Sequence, residues 1–294
     1  MERLRLYSET APEDALTAVS TLRVLAARDV ELVLAVRPWD LARLPDLAAR
    51  VTGAGVPLGL WPMVHDDDGR FLHLGNVARV RELALAALAG ARARGGAPAD
   101  VMLDLEPPVD ALRAARHRQL LPLVRTFTLG RRLAAPGEVA IARLRDELAH
   151  AGVSVSCAVS PQALWDGAGG AFSHSLCTGA AEGFARVDVM TYTTLFQDSS
   201  FGLVGRRRAL SILGAIASRA TRVLGDRASI ALGCVGTGAL GDERVFASPA
   251  ELAEDARAAR SAGARRLALL DLGGALARGD LEAWLDAALG QRDS

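Results

Sequence analysis

Lysine is absent from this chain: all 34 cationic side chains are arginine, set against 34 carboxylates for a formal charge of zero. A Schiff base to a substrate or to pyridoxal phosphate needs a side-chain amine, and a P-loop needs its lysine, so both chemistries are excluded. The balanced charge leaves no basic excess to hold a polyanion by counterion release, and nucleic acid is not expected as a partner. Cysteine is scarce as well. Cys157, Cys177 and Cys234 are odd in number and widely spaced, with no C-x-x-C pair for zinc or redox work, a usage that suits a reducing compartment. No run of about 18 apolar residues occurs, so no membrane partner is expected. Met1-Glu2-Arg3 leads directly into Leu4-Arg5-Leu6-Tyr7, without the room a signal peptide needs. A cytoplasmic, bacterial-type protein is the expectation, although a chain already trimmed of its leader would begin the same way. The bias towards Ala, Arg, Gly and Leu suggests a GC-rich genome, which accounts for the missing lysines without a functional cause.

What remains is ordinary globular material, 294 residues and half hydrophobic, long enough for a substantial core. Eight short apolar runs recur: Leu4–Ser8, Glu31–Arg37, Pro57–Val64, Asp100–Glu106, Val153–Ser160, Val187–Thr193, Ser229–Val235 and Arg266–Leu272. They alternate with stretches of helical period, among them Asp14–Arg28, Asn76–Arg94, Val109–Val124, Glu138–His150, Arg206–Leu224 and Pro249–Ala262. Thr10-Ala-Pro-Glu13 and Ser248-Pro-Ala-Glu251 each read as a capping box, a hydroxyl followed by a glutamate three residues on. Eight strand–helix repeats without a linker predict an α/β fold, a single (β/α)8 TIM barrel domain over 1–294, with a doubly wound open sheet as the competing arrangement. A barrel places its active face at the C-terminal ends of the strands. The irregular stretches His65–Gly69, Gly167–Gly183 and Thr194–Gly205 all follow strands.

The most informative segment is Asp100-Val-Met-Leu-Asp104-Leu-Glu106-Pro-Pro108. Alternation along a strand puts Met102, Asp104 and Glu106 on one face. Two carboxylates there are costly to bury unless something uses or pairs them, and their proximity raises proton affinity. Glu106 is thus a candidate general acid oriented by Asp104. The plainer alternative is a structural ion pair, for example with Arg37 at the end of strand two.

Asp104-Leu-Glu106-Pro-Pro108 resembles the end of the D-x-x-D-x-D-x-E-x-P signature on strand four of family 18 glycoside hydrolases, the chitinases and their relatives. Val187-Asp-Val-Met190-Thr-Tyr192-Thr193 is similar to that family's M-x-Y-D motif on strand six, and Ile230-Ala-Leu-Gly233 to its L-G stretch on strand seven. The resemblance implies a chitinase-like TIM barrel and substrate-assisted hydrolysis of an N-acetylated amino sugar. Glu106 would protonate the glycosidic oxygen while the sugar's own 2-acetamido carbonyl attacks the anomeric carbon, with Asp104 and Tyr192 holding that group. Departures from the pattern are equally visible. Ala99 and Met102 stand where the family has its first two signature aspartates, and Thr193 stands where it has aspartate after the tyrosine. On strand eight Asp271 lies near the place of the tryptophan that usually floors the acetamido subsite.

Sugar faces pack on flat apolar rings with a polar tip nearby, and aromatics are only 4% of the chain. Trp39, Trp61 and Trp165 nevertheless follow or end strands two, three and five. With Arg37, Met190, Thr193 and Asp271 they form the candidate substrate-binding set, while Trp284 reads as core. Two further signals stand beside these. Gly236-Thr-Gly238-Ala-Leu-Gly241 and Gly273-Gly274 follow strands seven and eight, where many barrels hold phosphate on backbone N–H groups, which keeps a metal-assisted phosphosugar isomerase or lyase open. The run His65-Asp66-Asp67-Asp68-Gly69 could supply oxygen ligands, but reads more simply as a solvated Asx turn. No metal and no cofactor are expected. The leading expectation is a glycosidase taking a carbohydrate or other small molecule, with a non-catalytic glycan-binding barrel as the alternative of another class.

Overall fold

Each of the eight apolar runs carries one strand in the computed structural model, and the strands pair in sequence order into a closed barrel. They are β1 Arg5–Ser8, β2 Glu31–Val36, β3 Leu58–Pro62, β4 Pro98–Leu105, β5 Ser154–Val159, β6 Arg186–Met190, β7 Ala228–Gly233 and β8 Leu267–Leu270. The (β/α)8 expectation is therefore met and the open doubly wound sheet is not. The structure describes residues 2–117, 120–166, 171–199, 203–237 and 241–290. Among the described residues no helix is long and apolar enough to cross a membrane.

The helices are α1 Glu13–Leu16, α2 Val19–Ala27, α3 Leu44–Gly53, α4 Val77–Arg92, α5 Val109–Arg116, α6 Leu120–His150, α7 Ala171–Ser175, α8 Thr193–Ser199, α9 Arg206–Leu224, α10 Pro249–Ser261, α11 Leu272–Ala277 and α12 Leu281–Leu289. Three expectations need correction. The helix read over Asp14–Arg28 is broken at Thr17, whose hydroxyl donates to Glu13 O at 2.7 Å, and Thr21 donates to Ala15 O at 2.8 Å. Local hydroxyl bonds here satisfy carbonyls that a continuous helix would have used. Residues 109–150, read as two helices divided before Glu138, divide instead after Arg116, and α6 runs through Pro136. Packing against α4, α5, α7 and β5 sustains α6 across the proline. Glycine permits that close fit: a Cβ at Gly130 would stand 1.9 Å from His174 O, and one at Gly137 2.7 Å from a Leu74 methyl.

Neither capping box forms as read. Thr10 instead donates to Asp271 Oδ2 at 3.0 Å, and α1 starts at Glu13 behind Pro12. Ser248 is the N-cap of α10 without a side-chain bond, while Glu251 accepts from Ala247 N at 2.6 Å, one residue further back.

The chain resolves into two compact units. The first comprises Met1–Leu34, Arg50–Leu58 and Asp188–Ser294. In it β1 pairs with β2 and β8, and β7 with β8, all parallel. Leu4, just before β1, and Leu6 alternate with Arg5 and Tyr7, yet all four are buried, as a strand covered on both sides requires. Helices α9 and α10 pack on β7 and on each other, and α12 packs against α10 and α2. Trp284 is buried on α12 with the Arg278 guanidinium 4.7 Å from its ring centroid, in keeping with its reading as core.

The second unit comprises Ala35–Ala49 and Gly59–Val187. Its β4 and β5 pair in parallel from Asp100↔Ser154 to Leu105↔Val159. Val101, Leu103 and Leu105 on one face of β4 and Asp100, Met102 and Asp104 on the other are all buried.

Candidate active site

The end of β4 is shaped by one carbonyl. Asp104 O accepts from Leu72 N at 2.9 Å and from Glu106 N at 3.1 Å. The second bond turns the chain off the ladder at Glu106, just past Leu105, and Pro107-Pro108, lacking N–H groups, cannot resume it. The strand thus ends at Leu105, one residue short of the expected limit. Asp104 is buried, whereas Glu106 is half-buried just beyond the strand. Val109 N, at the start of α5, donates to Gly69 O at 3.1 Å, so the loop after β3 is bonded to both sides of the acid pair.

That loop is organised by Asp66 rather than dissolved in solvent. Its carboxylate accepts from Arg37 Nη2, Arg70 Nε, Arg70 Nη2 and Arg113 Nη2, each at 2.9 Å. Three guanidiniums, with Arg70 foremost, hold the Asp66 carboxyl far below the usual carboxylate range. The reading of His65–Gly69 as a solvated turn is corrected in this respect, though Gly69 does take the left-handed conformation that closes such a turn (φ 97°). Among the described residues no group of three or more potential metal ligands gathers. Arg37 was a candidate partner for the strand-four carboxylates; its ion pair is with Asp66 instead.

Behind Asp66 the loop is locked by His73 and Asn76. Asn76 Nδ2 donates to Asp68 O and Phe71 O at 2.9 and 2.7 Å, and its Oδ1 accepts from His73 N at 2.9 Å. His73 Nδ1 accepts from Gly75 N at 3.1 Å, and burial depresses its pKa to about 4, leaving a neutral ring.

The three tryptophans of this unit stand in different settings. Trp39 lies in a short 3-10 turn after β2, 59% exposed, with the Arg37 guanidinium 4.7 Å from its ring centroid and the His65 ring 5.3 Å away. Trp165 is exposed at the end of a similar turn after β5. Trp61 is buried within β3.

The remaining candidates belong to the first unit. Strand β6 ends at Met190, so Tyr192 lies past it, and Thr193 opens α8 instead of closing the strand. The Tyr192 ring lies against Gly233, where a Cβ would come within 2.9 Å of the ring. Thr193 is fully buried, donating to Asp255 Oδ2 at 2.6 Å and accepting from Arg206 Nη1 at 3.1 Å. Asp271 is buried and caps α11 by accepting from Gly274 N at 2.9 Å, besides its bond from Thr10. The Gly274 N–H that a phosphate would want is therefore already used. Gly273 and Gly274 serve close packing, since a Cβ at Gly274 would stand 2.2 Å from Gly236 N. Residues 238–240 of the Gly236–Gly241 loop lie outside the described residues.

Two buried polar groups escaped the reading of the sequence. In the first unit Arg5 bonds Glu31 through Nε and Nη2 at 3.0 and 2.9 Å and Asp188 through Nη1 at 2.9 Å, while Tyr7 Oη donates to Asp188 Oδ2 at 2.6 Å. Burial, and then the Asp188 charge, push the Tyr7 phenol well above its ordinary range. In the second unit Ser156 on β5 donates to Asp100 on β4. The signal was available, because Arg5, Glu31, Asp188 and Asp100 are charges set inside apolar runs, and Asp100 shares the face of Met102 and Asp104 by the same alternation.

Fold, acid pair and rim together are those of an α/β barrel with a carboxylate pair ending its fourth strand. No family profile matches the sequence, and no curated relative does. Among solved structures, the glycoside hydrolase domain of PgaB (BpsB) from Bordetella bronchiseptica aligns over 100% of both chains with 13% identity and a TM-score of 0.59. A family 18 chitinase from Pseudoalteromonas aurantia aligns over 99% of this chain and 100% of its own, with 10% identity and a TM-score of 0.54. A 3-dehydroquinate dehydratase from Geobacillus kaustophilus follows at 12% identity over 98% and 91%, with a TM-score of 0.49. At such identities the first two likenesses show the barrel fold alone.

Proposed function

We propose that the protein is a glycoside hydrolase of family 18 type, cleaving the bond to an N-acetylated amino sugar. Glu106 protonates the leaving glycosidic oxygen, and the substrate's acetamido carbonyl displaces it at the anomeric carbon, so no enzyme nucleophile is required. Water then opens the cyclic intermediate, with Glu106 returning as base. Asp104 orients the acetamide and stabilises its developing positive charge. Tyr192 takes the acetamide-holding role that the motif resemblance assigns it.

The observation that carries this reading is the acid pair itself: a buried carboxylate near the end of strand β4, and a half-buried one immediately past it, turned off the ladder with the bond from Glu106 N to Asp104 O. The two barrels with the higher TM-scores are described as a glycoside hydrolase domain and a chitinase, which is consistent with it. Replacing Glu106 by Gln keeps the shape and removes the proton. Hydrolysis of an aryl N-acetylglucosaminide should fall by about 10²-fold or more. A wild-type activity that survives the substitution unchanged would misassign the acid.

One observation favours a second reading. Met102 is fully buried where the family carries an aspartate, and the hydroxyl of Thr193, at another departed position, is engaged by Asp255. A barrel that has lost those charges can retain a glycan cleft without turnover. Calorimetric binding of chito-oligosaccharides in the absence of any hydrolysis would favour it.

A further inference from the structure

We propose that Asp255 on α10 is a positioning residue for Tyr192, acting through the hydroxyl of Thr193; the assignment rests on the reading above that gives Tyr192 the acetamide. A side chain that orients a substrate group has to be kept within about 0.5 Å of its working place, and the residues behind it do that. Tyr192 lies two residues past the end of β6, so strand pairing alone does not fix it. Its threonine neighbours do. Thr191 N donates to Ala231 O at 2.9 Å, and the Thr191 hydroxyl donates to Val189 O at 3.0 Å. The Thr194 hydroxyl donates to Gly233 O at 2.8 Å and accepts from Cys234 N at 2.9 Å. Thr191, Thr193 and Thr194 are all fully buried, and the Tyr192 ring between them is laid against Gly233.

The anchors of Thr191 and Thr194 end on main-chain atoms. The hydroxyl of Thr193 instead donates to a side chain, Asp255 Oδ2, at 2.6 Å. Arg206, at the start of α9, closes the arrangement: its Nη1 stands 2.6 Å from Asp255 Oδ1 and donates to the Thr193 hydroxyl at 3.1 Å. The chain thus leaves at Thr193 and returns at Arg206 onto one fully buried carboxylate. Helices α9 and α10 do not need Asp255 for their own contact. Arg206 already joins them, through Nη2 to Glu251 O at 2.6 Å and through Nε to Glu254 Oε2 at 3.1 Å, and Leu252, Ala256 and Ala259 give α10 its buried apolar face. A carboxylate set into such a face is costly unless its bonds accomplish something. What Asp255 adds is a charge-assisted anchor, stronger than a neutral one, on the residue that follows Tyr192.

The test exploits the presence of only two tyrosines, Tyr7 and Tyr192. Protein labelled with 3-fluorotyrosine should give two fluorine resonances, and Tyr192→Phe assigns them by removing one. Thr193→Val keeps the side-chain shape and removes the hydroxyl; it should shift or broaden the Tyr192 resonance while the circular dichroism spectrum is preserved. Thr193→Ser, which restores the hydroxyl, should restore the resonance. Asp255→Ala should reproduce the effect of Thr193→Val, and the double variant should add nothing further, because one residue acts through the other. If Asp255→Ala does not fold, the Val and Ser variants of Thr193 decide the matter. On an aryl N-acetylglucosaminide, kcat/KM should fall about tenfold in Thr193→Val and recover in Thr193→Ser. A Tyr192 resonance unmoved by Thr193→Val, or a Ser variant that fails to restore it, overturns the proposal and leaves the hydrolase reading intact. The expected resonance pattern in a protein that hydrolyses no such sugar would sink the hydrolase reading and leave the hold of Asp255 on Tyr192 standing.

Discussion

Acidification should loosen the loop after β3 through a single side chain, His73. The ring is buried, Nδ1 is occupied as an acceptor from Gly75 N–H at 3.1 Å, and Gly69 presses so close that a Cβ there would stand 2.3 Å from Nε2. Protonation would cost that accepted bond and place a charge out of reach of water, and burial, outweighing a hydrogen bond to the Asp68 backbone, lowers the pKa from 6.5 to about 4. A depressed folded pKa contributes stability that is complete above the unfolded value and is lost as pH falls towards the folded one. The loss from this group should reach about 2 kcal/mol by pH 5 and about 3 kcal/mol near pH 4. Asp255 runs the other way. Burial outweighs Thr193 and Arg206 and raises its carboxyl to about 6, so its contribution grows as pH falls from about 6 towards 3.8. The His73 effect is therefore isolated as a difference between wild type and His73→Gln, each unfolded in urea at pH 7.5 and pH 5 with tryptophan fluorescence as the probe. The variant is less stable at the higher pH, and the gap between the two proteins should narrow by about 2 kcal/mol at the lower. A gap that stays constant would refute the assignment of a buried, neutral His73.

Other perturbations probe the rest of the framework. Asp188→Asn removes the charge that Arg5 and Tyr7 both address, and should cost about 3 kcal/mol in urea unfolding; a loss below about 1 kcal/mol would mean the cluster is not the buried unit described. Gly274→Ala drives a methyl onto the backbone of Gly236 and should destabilise by about 3 kcal/mol, whereas an unaltered midpoint would contradict the close approach. Burial raises the thiols of Cys177 to about 11 and Cys234 to about 12, so at pH 8 native protein should react with a disulfide reagent far more slowly than urea-unfolded protein, which should titrate all three cysteines. Rapid native labelling would count against that burial.

The barrel was legible because a parallel sheet buries both faces of its strands, which writes each one as an unbroken apolar run. Caps and breaks were less so. Thr10 has a capping sequence, but its hydroxyl is taken by Asp271, a residue 261 positions away that local reading cannot weigh. Pro136 is a sound local stop signal that tertiary packing of α6 overrides. In the candidate site the acid pair stood out, since carboxylates at the end of an apolar strand demand a reason. The Asp66 hub did not, because its arginines come from positions 37, 70 and 113 and only the fold brings them together. Arg5, Glu31 and Asp188 carried a readable signal, charge inside a strand, but nothing in the sequence states that they pair with one another.

The central claim, that a sugar's own acetamide serves as nucleophile with Glu106 as acid, is most directly tested by the rate of cleavage of aryl glucosaminides whose N-acetyl group is progressively fluorinated. Each fluorine weakens the carbonyl as a nucleophile while leaving the leaving group and the acid unchanged, so kcat/KM should fall stepwise from acetyl to trifluoroacetyl. A rate indifferent to fluorination, or no cleavage of the acetyl parent at all, would contradict the account.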